Sequence, residues 1–106
     1  MGILDFLKGP DMNAGLDAYR QEAGAVLIDV RSPEEFDRGH IPGSRNLPTQ
    51  MLRNIEELAD DLDTPIYVYC QSGARSSRAA QMLQIMGYTH VTDLGGITSY
   101  PGTLEK

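Results

Sequence analysis

The only cysteine in the chain, Cys70, closes an apolar run, Ile66-Tyr67-Val68-Tyr69, and opens a polar loop, Gln71-Ser72-Gly73-Ala74-Arg75-Ser76. A helical pattern follows at once, with Ala79, Met82, Leu83 and Met86 spaced to share one face. A thiol between the carboxyl end of a strand and the N-terminus of a helix stands where anions bind and thiolates are stabilised. Such a thiol is suited to nucleophilic attack. The plainer alternative is a buried strand-end cysteine acting as a small hydrophobe. Gly73 favours the first reading, because it lets the loop turn tightly enough to aim backbone amides at the sulfur. Hydrogen bonds to a charged group are worth about 1.5–3 kcal/mol each. The helix dipole adds only about 0.3–1 kcal/mol at an exposed site, so the amides dominate. Arg75 offers a planar guanidinium that can hold two oxygens of an oxyanion, while Arg78, one turn on, reads as solvated. Ser72, Ser76 and Ser77 are donors to an anion or caps of the helix, at least one of them a cap.

The elements that must hold this loop follow from period and punctuation. Met12 and Asn13 read as staple and N-cap of a helix to about Glu22, with Met12, Leu16, Tyr19 and Ala23 at helical spacing. After Gly24, Ala25-Val26-Leu27-Ile28 is apolar on both faces, as a strand in a helix-covered parallel sheet must be. Ser32 caps a short helix with Pro33 in its first turn and Glu34 and Glu35 behind. Gly39-His40-Ile41-Pro42-Gly43 is a loop, and Arg45-Asn46-Leu47 a short strand. Thr49 caps a helix whose Met51, Leu52, Ile55, Leu58 and Ala59 form one stripe. Ile66 to Tyr69 is the second long strand. The helix from about Arg75 to Met86 closes at Gly87, and His90 to Leu94 is a third clear strand before Gly95-Gly96. This alternation predicts an α/β sandwich with a mostly parallel sheet. Ligands in such sheets bind outside the strands' carboxyl ends, where Cys70 stands.

With 106 residues, 41% hydrophobic and 23% charged, the chain reads as one soluble domain over 1–106, with a short segment 1–10 leading in. The net charge of −6 disfavours nucleic-acid and anionic-membrane partners, because the long-range field repels polyanions. Any anion site must be built locally. One cysteine allows no internal disulfide, and with only His40 and His90 besides, no metal or organic cofactor is expected. Met1 to Lys8 is too short and acidic for a signal peptide, and Phe6 stands where a myristoylation motif needs Ser or Thr. Ile3, Leu4, Phe6 and Leu7 are expected to pack as a short apolar turn, and the location to be cytoplasmic. Asp29 and Arg31, polar at the end of a buried strand, are expected to join Glu35 in hydrogen-bonded ion pairs that hold loops together.

The sequence resembles a single-domain rhodanese, a sulfurtransferase, from about Met12 to Tyr100. The segments that carry the resemblance come in order. They are Val26 to Phe36 (Val-Leu-Ile-Asp-Val-Arg-Ser-Pro-Glu-Glu-Phe), Gly39 to Pro48 (Gly-His-Ile-Pro-Gly-Ser-Arg-Asn-Leu-Pro), the Cys70-to-Arg75 loop with Ser76, and Leu94-Gly95-Gly96. The resemblance implies a three-layer α/β sandwich with helices on both faces of the sheet. It also implies that Cys70 takes sulfane sulfur from thiosulfate or a similar donor, releases sulfite, and passes the persulfide sulfur to cyanide or a thiol. Gln71, Ser72, Gly73, Ala74 and Ser76 would then bind the substrate through loop amides, with Arg75 on the donor's oxygens. Gln71 stands where some members carry a basic residue, and Tyr100 where many have tryptophan.

Three other readings are available. A persulfide relay would accept sulfur from a partner protein and pass it on. Cys-based phosphatases and arsenate reductases resemble Cys-x5-Arg, but here four residues separate Cys70 from Arg75, Ser76 holds the next position, and Tyr69 stands in place of the usual histidine. A cysteine-protease dyad would need His40 or His90 brought near in space.

Overall fold

The computed structural model describes residues 9–106, so the expected apolar turn of Ile3, Leu4, Phe6 and Leu7 lies outside the described residues. Four strands, β1 (Val26–Asp29), β2 (Arg45–Asn46), β3 (Ile66–Cys70) and β4 (Val91–Gly96), form one sheet in the order β2-β1-β3-β4. All three pairings are parallel. Every residue of β3 is buried, as its unbroken apolar sequence requires. Its side chains alternate between faces. Ile66, Val68 and Cys70 join Ile28 and Val30 beneath Leu52, Ile55, Ala59, Ala79 and Leu83. Tyr67 and Tyr69 join Leu27 and Leu94 beneath Met12 and Leu16.

The covering layers are α1 (Met12–Gln21) on one face, and α3 (Ala74–Ile85) with a 3-10 segment (Thr49–Glu57) on the other. A short helix, α2 (Pro33–Arg38), links β1 to the β2 loop, and a brief 3-10 turn (Ile97–Ser99) follows β4. The result is a three-layer α/β sandwich. No helix among the described residues is long and apolar enough to cross a membrane.

Three local expectations need correction. The N-cap of α1 is Asp11, whose carboxylate accepts from Ala14 N at 3.1 Å, so the helix starts at Met12 and Asn13 lies inside it. Aspartate and asparagine cap about equally well, and Met12, buried at 3%, fixes which one serves. The segment after Pro48 is a 3-10 helix with no side-chain cap, and Thr49 Oγ1 donates to Gln50 instead. Leu52, Ile55 and Leu58 are three apart, which suits three residues per turn. Burying Leu52 and Ile55 contributes about 1.5–3 kcal/mol each, enough to offset the poorer 3-10 hydrogen bonds. Finally, the apolar stripes are narrower than expected, since Met51, Met82 and Met86 all face solvent.

The β4 strand runs two residues beyond Leu94. An irregularity shifts its register, so that Val68 lies opposite Asp93 but Tyr69 lies opposite Gly95 and Cys70 opposite Gly96. The extra residue is Leu94. The bulge brings the double glycine against the Cys70 loop.

Candidate active site

The sulfur of Cys70 sits at the last position of β3, 1% exposed. Its nearest polar partner is the backbone amide of Gly73, which donates to Sγ at 3.0 Å. Gly73 has φ of +104°, a left-handed conformation that side chains resist, and occupies the N-cap of α3. No serine caps that helix through its side chain, contrary to expectation. Ser76, fully buried, lies in the first turn instead. Its hydroxyl donates to Gly73 O at 3.1 Å and can accept from the Cys70 thiol at 3.5 Å. Ionising the thiol removes that proton, and the single Ser76 hydroxyl proton could then reach sulfur only by leaving Gly73 O. Ser72 and Gln71 are exposed, Ala74 is the first residue of α3, and Ser77 faces solvent.

Backbone proximity explains the double glycine. A Cβ on Gly96 would lie 2.5 Å from Gln71 O and 2.8 Å from Ser72 Cα, so only glycine lets β4 lie against the loop. Asp93 Oδ1 accepts from Gly95 N at 2.9 Å and steadies the bulge. The sequence displayed these glycines without showing what they touch.

Two ion pairs brace the loop. Arg31 donates from Nη2 to Asp29 Oδ2 at 2.7 Å, with both groups buried, and also to Gly39 O at 2.7 Å. Its Nη1 reaches Gln71 Oε1 at 3.1 Å. Burial works against the Arg31 charge, but the Asp29 carboxylate more than offsets it and raises the pKa. The structural role expected of this pair is therefore seen, and it extends to the Cys70 loop through Gln71. Glu35 also ties loops together as expected, through Arg75 rather than through Arg31. Arg75 donates to Glu35 Oε1 at 2.7 Å and Oε2 at 2.9 Å, across 40 residues of sequence. The Arg75 guanidinium is the main cause holding the Glu35 carboxyl down at about 2, and the same bond raises Arg75. Glu35 also accepts from Ser32 N, completing a capping box on α2. Five N–H donors belong to a guanidinium, so Arg75 keeps others for a ligand.

Neither histidine reaches the thiol through a bond. His40 stacks on Phe36 at 3.7 Å between ring centroids, and Nδ1 lies 2.9 Å from Phe36 O. Its backbone pairs with Glu105. His90 is exposed, one residue before β4. Where the phosphatases carry histidine, Tyr69 is wholly buried. Its hydroxyl accepts from Ile41 N at 3.0 Å and bonds Ser44, and burial is the main cause raising its pKa.

Beside the loop opens a cavity of about 410 Å³. Its wall includes Arg31, Gln71 and Ile97, which follow the carboxyl ends of β1, β3 and β4. Arg38 and Leu104 also line it, and nothing in their sequence surroundings marked them.

Comparison with known proteins places the chain in a family. The family model for the rhodanese-like domain matches residues 13–101. The chain is 45% identical over 105 residues to the uncharacterized protein YqhL of Bacillus subtilis, covering 97% of this chain and 77% of that one. It is 42% identical over 76 residues to the thiosulfate sulfurtransferase GlpE of Stutzerimonas stutzeri, covering 72% of this chain and 69% of that one. Among solved structures, a rhodanese with anions from E. coli superposes with a TM-score of 0.73 at 34% identity, over 77% of this chain and 98% of that one.

Proposed function

The chain belongs to the rhodanese-like family of single-domain sulfurtransferases, and from that membership we propose that it transfers sulfane sulfur through a persulfide on Cys70. The observation that carries the proposal is the Gly73 amide 3.0 Å from Sγ, at the N-terminus of a twelve-residue helix. That placement favours negative charge on sulfur.

In the first half-reaction the Cys70 thiolate attacks the outer sulfur of thiosulfate. The donor's S–S bond breaks, its electron pair leaves with sulfite, and a disulfane anion remains on Cys70. Loop amides from Gln71 to Ser76 hold the outer sulfur, and Arg75, anchored by Glu35, offers its remaining N–H groups to the sulfonate oxygens. In the second half-reaction a nucleophile attacks the outer sulfur and the thiolate returns. Cyanide would leave as thiocyanate, and a thiol as its persulfide. The short Cys70-to-Arg75 spacing supports this reading over phosphate or arsenate chemistry.

The test is the intact mass after brief exposure to thiosulfate, beside Cys70→Ser. One added sulfur atom on the wild type alone, removed by cyanide as thiocyanate appears, is the expected result. No gain from thiosulfate or polysulfide, together with phosphate-ester hydrolysis lost in Cys70→Ser, would reject it.

A further inference from the structure

The cavity of about 410 Å³ is far larger than thiosulfate needs, and its size falls in the range of small-molecule sites. It lies across the carboxyl ends of three strands, beside the residue that follows the nucleophile. Its chemistry is uneven. Ile97 and Leu104 give it an apolar wall, Ile97 buried and Leu104 42% exposed. Two of its charged groups are already matched, Arg31 by Asp29 and Glu35 by Arg75. Arg38, exposed at the last position of α2, makes no ion pair with a described residue. Gln71, which also lines the cavity, accepts from Arg31 through Oε1 and keeps Nε2 as a further donor. Among the described residues the cavity therefore presents an apolar wall, one cation without an ion-pair partner and one amide donor. A sulfonate alone has no use for the wall.

We propose that this cavity receives the sulfur acceptor, a small organic thiol bearing a carboxylate, and that Arg38 is the residue that selects it. The inference rests on the sulfurtransferase reading. The aliphatic stem would lie on Ile97 and Leu104, and the carboxylate near Arg38 and Gln71 Nε2. The acceptor thiolate attacks the outer sulfur of the protonated Cys70 persulfide. The Cys70 S–S bond breaks, its electron pair returns to Sγ, and the proton leaves with the transferred sulfur on the new persulfide. No outside oxidant or reductant is required.

Wild type and Arg38→Gln would first be loaded with thiosulfate and freed of excess donor. Loss of the added sulfur mass would then be timed with mercaptopropionate and with mercaptoethanol, at concentrations below saturation. Both are primary alkyl thiols whose difference in acidity cancels when the rate ratio is compared between wild type and variant, but only the first carries a carboxylate. Arg38→Gln is expected to lower the preference for mercaptopropionate by up to about fivefold, the upper range for losing one exposed ion pair. Arg38→Lys should restore most of it, and added salt should erode it in the wild type. A favourable contact of Arg38 with the end of α2 would not discriminate between the two thiols. An unchanged preference overturns the proposal. So does slower loading with unchanged unloading, because the cation would then serve the donor. Failure to load from either thiosulfate or polysulfide appears before any thiol is added, and counts against the underlying sulfurtransferase reading separately.

Discussion

Around Cys70 the decisive distances are few, and they divide the polar residues of the loop by what they hold. Gly73 turns an amide onto sulfur, Ser76 ties the first turn of α3 back to Gly73, and Gln71 is gripped by Arg31. Arg75 stands between two duties. Its two Nη groups are engaged by Glu35, which fixes the direction of the guanidinium before any ligand arrives. If the remaining donors bind the sulfonate, Arg75→Ala should reduce kcat/KM with thiosulfate about tenfold or more, given about 1.5–3 kcal/mol for a hydrogen bond to a charged group. Its effect with polysulfide should be several times smaller, since that donor brings no oxyanion. Steady-state kinetics with both donors decides, and equal losses would make Arg75 a brace of the loop alone. The placement of Cys70 was legible from sequence because one cysteine, one strand end and one glycine stood in series. The Glu35–Arg75 bond was not, because a partner 40 residues away leaves no local signature.

Among the elements, β4 governs how closely the sheet approaches the loop. The bulge after Val68 and Asp93 adds Leu94 and sets Gly96 against Gln71 and Ser72. A methyl group there meets backbone, which cannot rotate away. Gly96→Ala is therefore expected to destabilise the fold by about 1–3 kcal/mol, in the range of overpacking substitutions, and to slow persulfide formation. Denaturant midpoints together with the rate of sulfur uptake would show both effects. Full stability with normal uptake would mean that the loop yields freely. The parallel strands, α3 and the capping box on α2 were all readable from period and cap residues. The 3-10 segment was not, because Leu52, Ile55 and Leu58 fit three residues per turn as readily as a longer helical period, and tertiary burial made the choice. The cap of α1 was misplaced for a related reason, since Asp11 and Asn13 are both good caps and packing of Met12 selected between them.

Across the whole molecule, charge is distributed against its total. The chain carries −6, yet between Asp63 and Asp93 there is no acidic residue, only Arg75 and Arg78. Cys70 lies within this stretch, so the acids that give the net charge come from elsewhere in the sequence. The one acid bonded to Arg75, Glu35, links the stability of the folded chain to pH. Its folded pKa of about 2 lies below its ordinary 4.5, so the stabilisation from the pair is complete above about 4.5 and is lost as pH falls towards 2. Thermal unfolding of the wild type and Glu35→Gln should accordingly differ near neutrality and converge towards pH 2 (the gap narrowing with salt, as the pair is partly exposed). A gap that is constant across that range would assign the effect to the helix cap of α2 instead. The sole cysteine of the chain is also 1% exposed, folded into the same apolar cluster as Leu52 and Ala79. Shelter of that kind acts on the unloaded protein as chemical longevity. Two copies of the chain have no surface thiols with which to crosslink, since the one sulfur that a donor must reach lies beneath the surface.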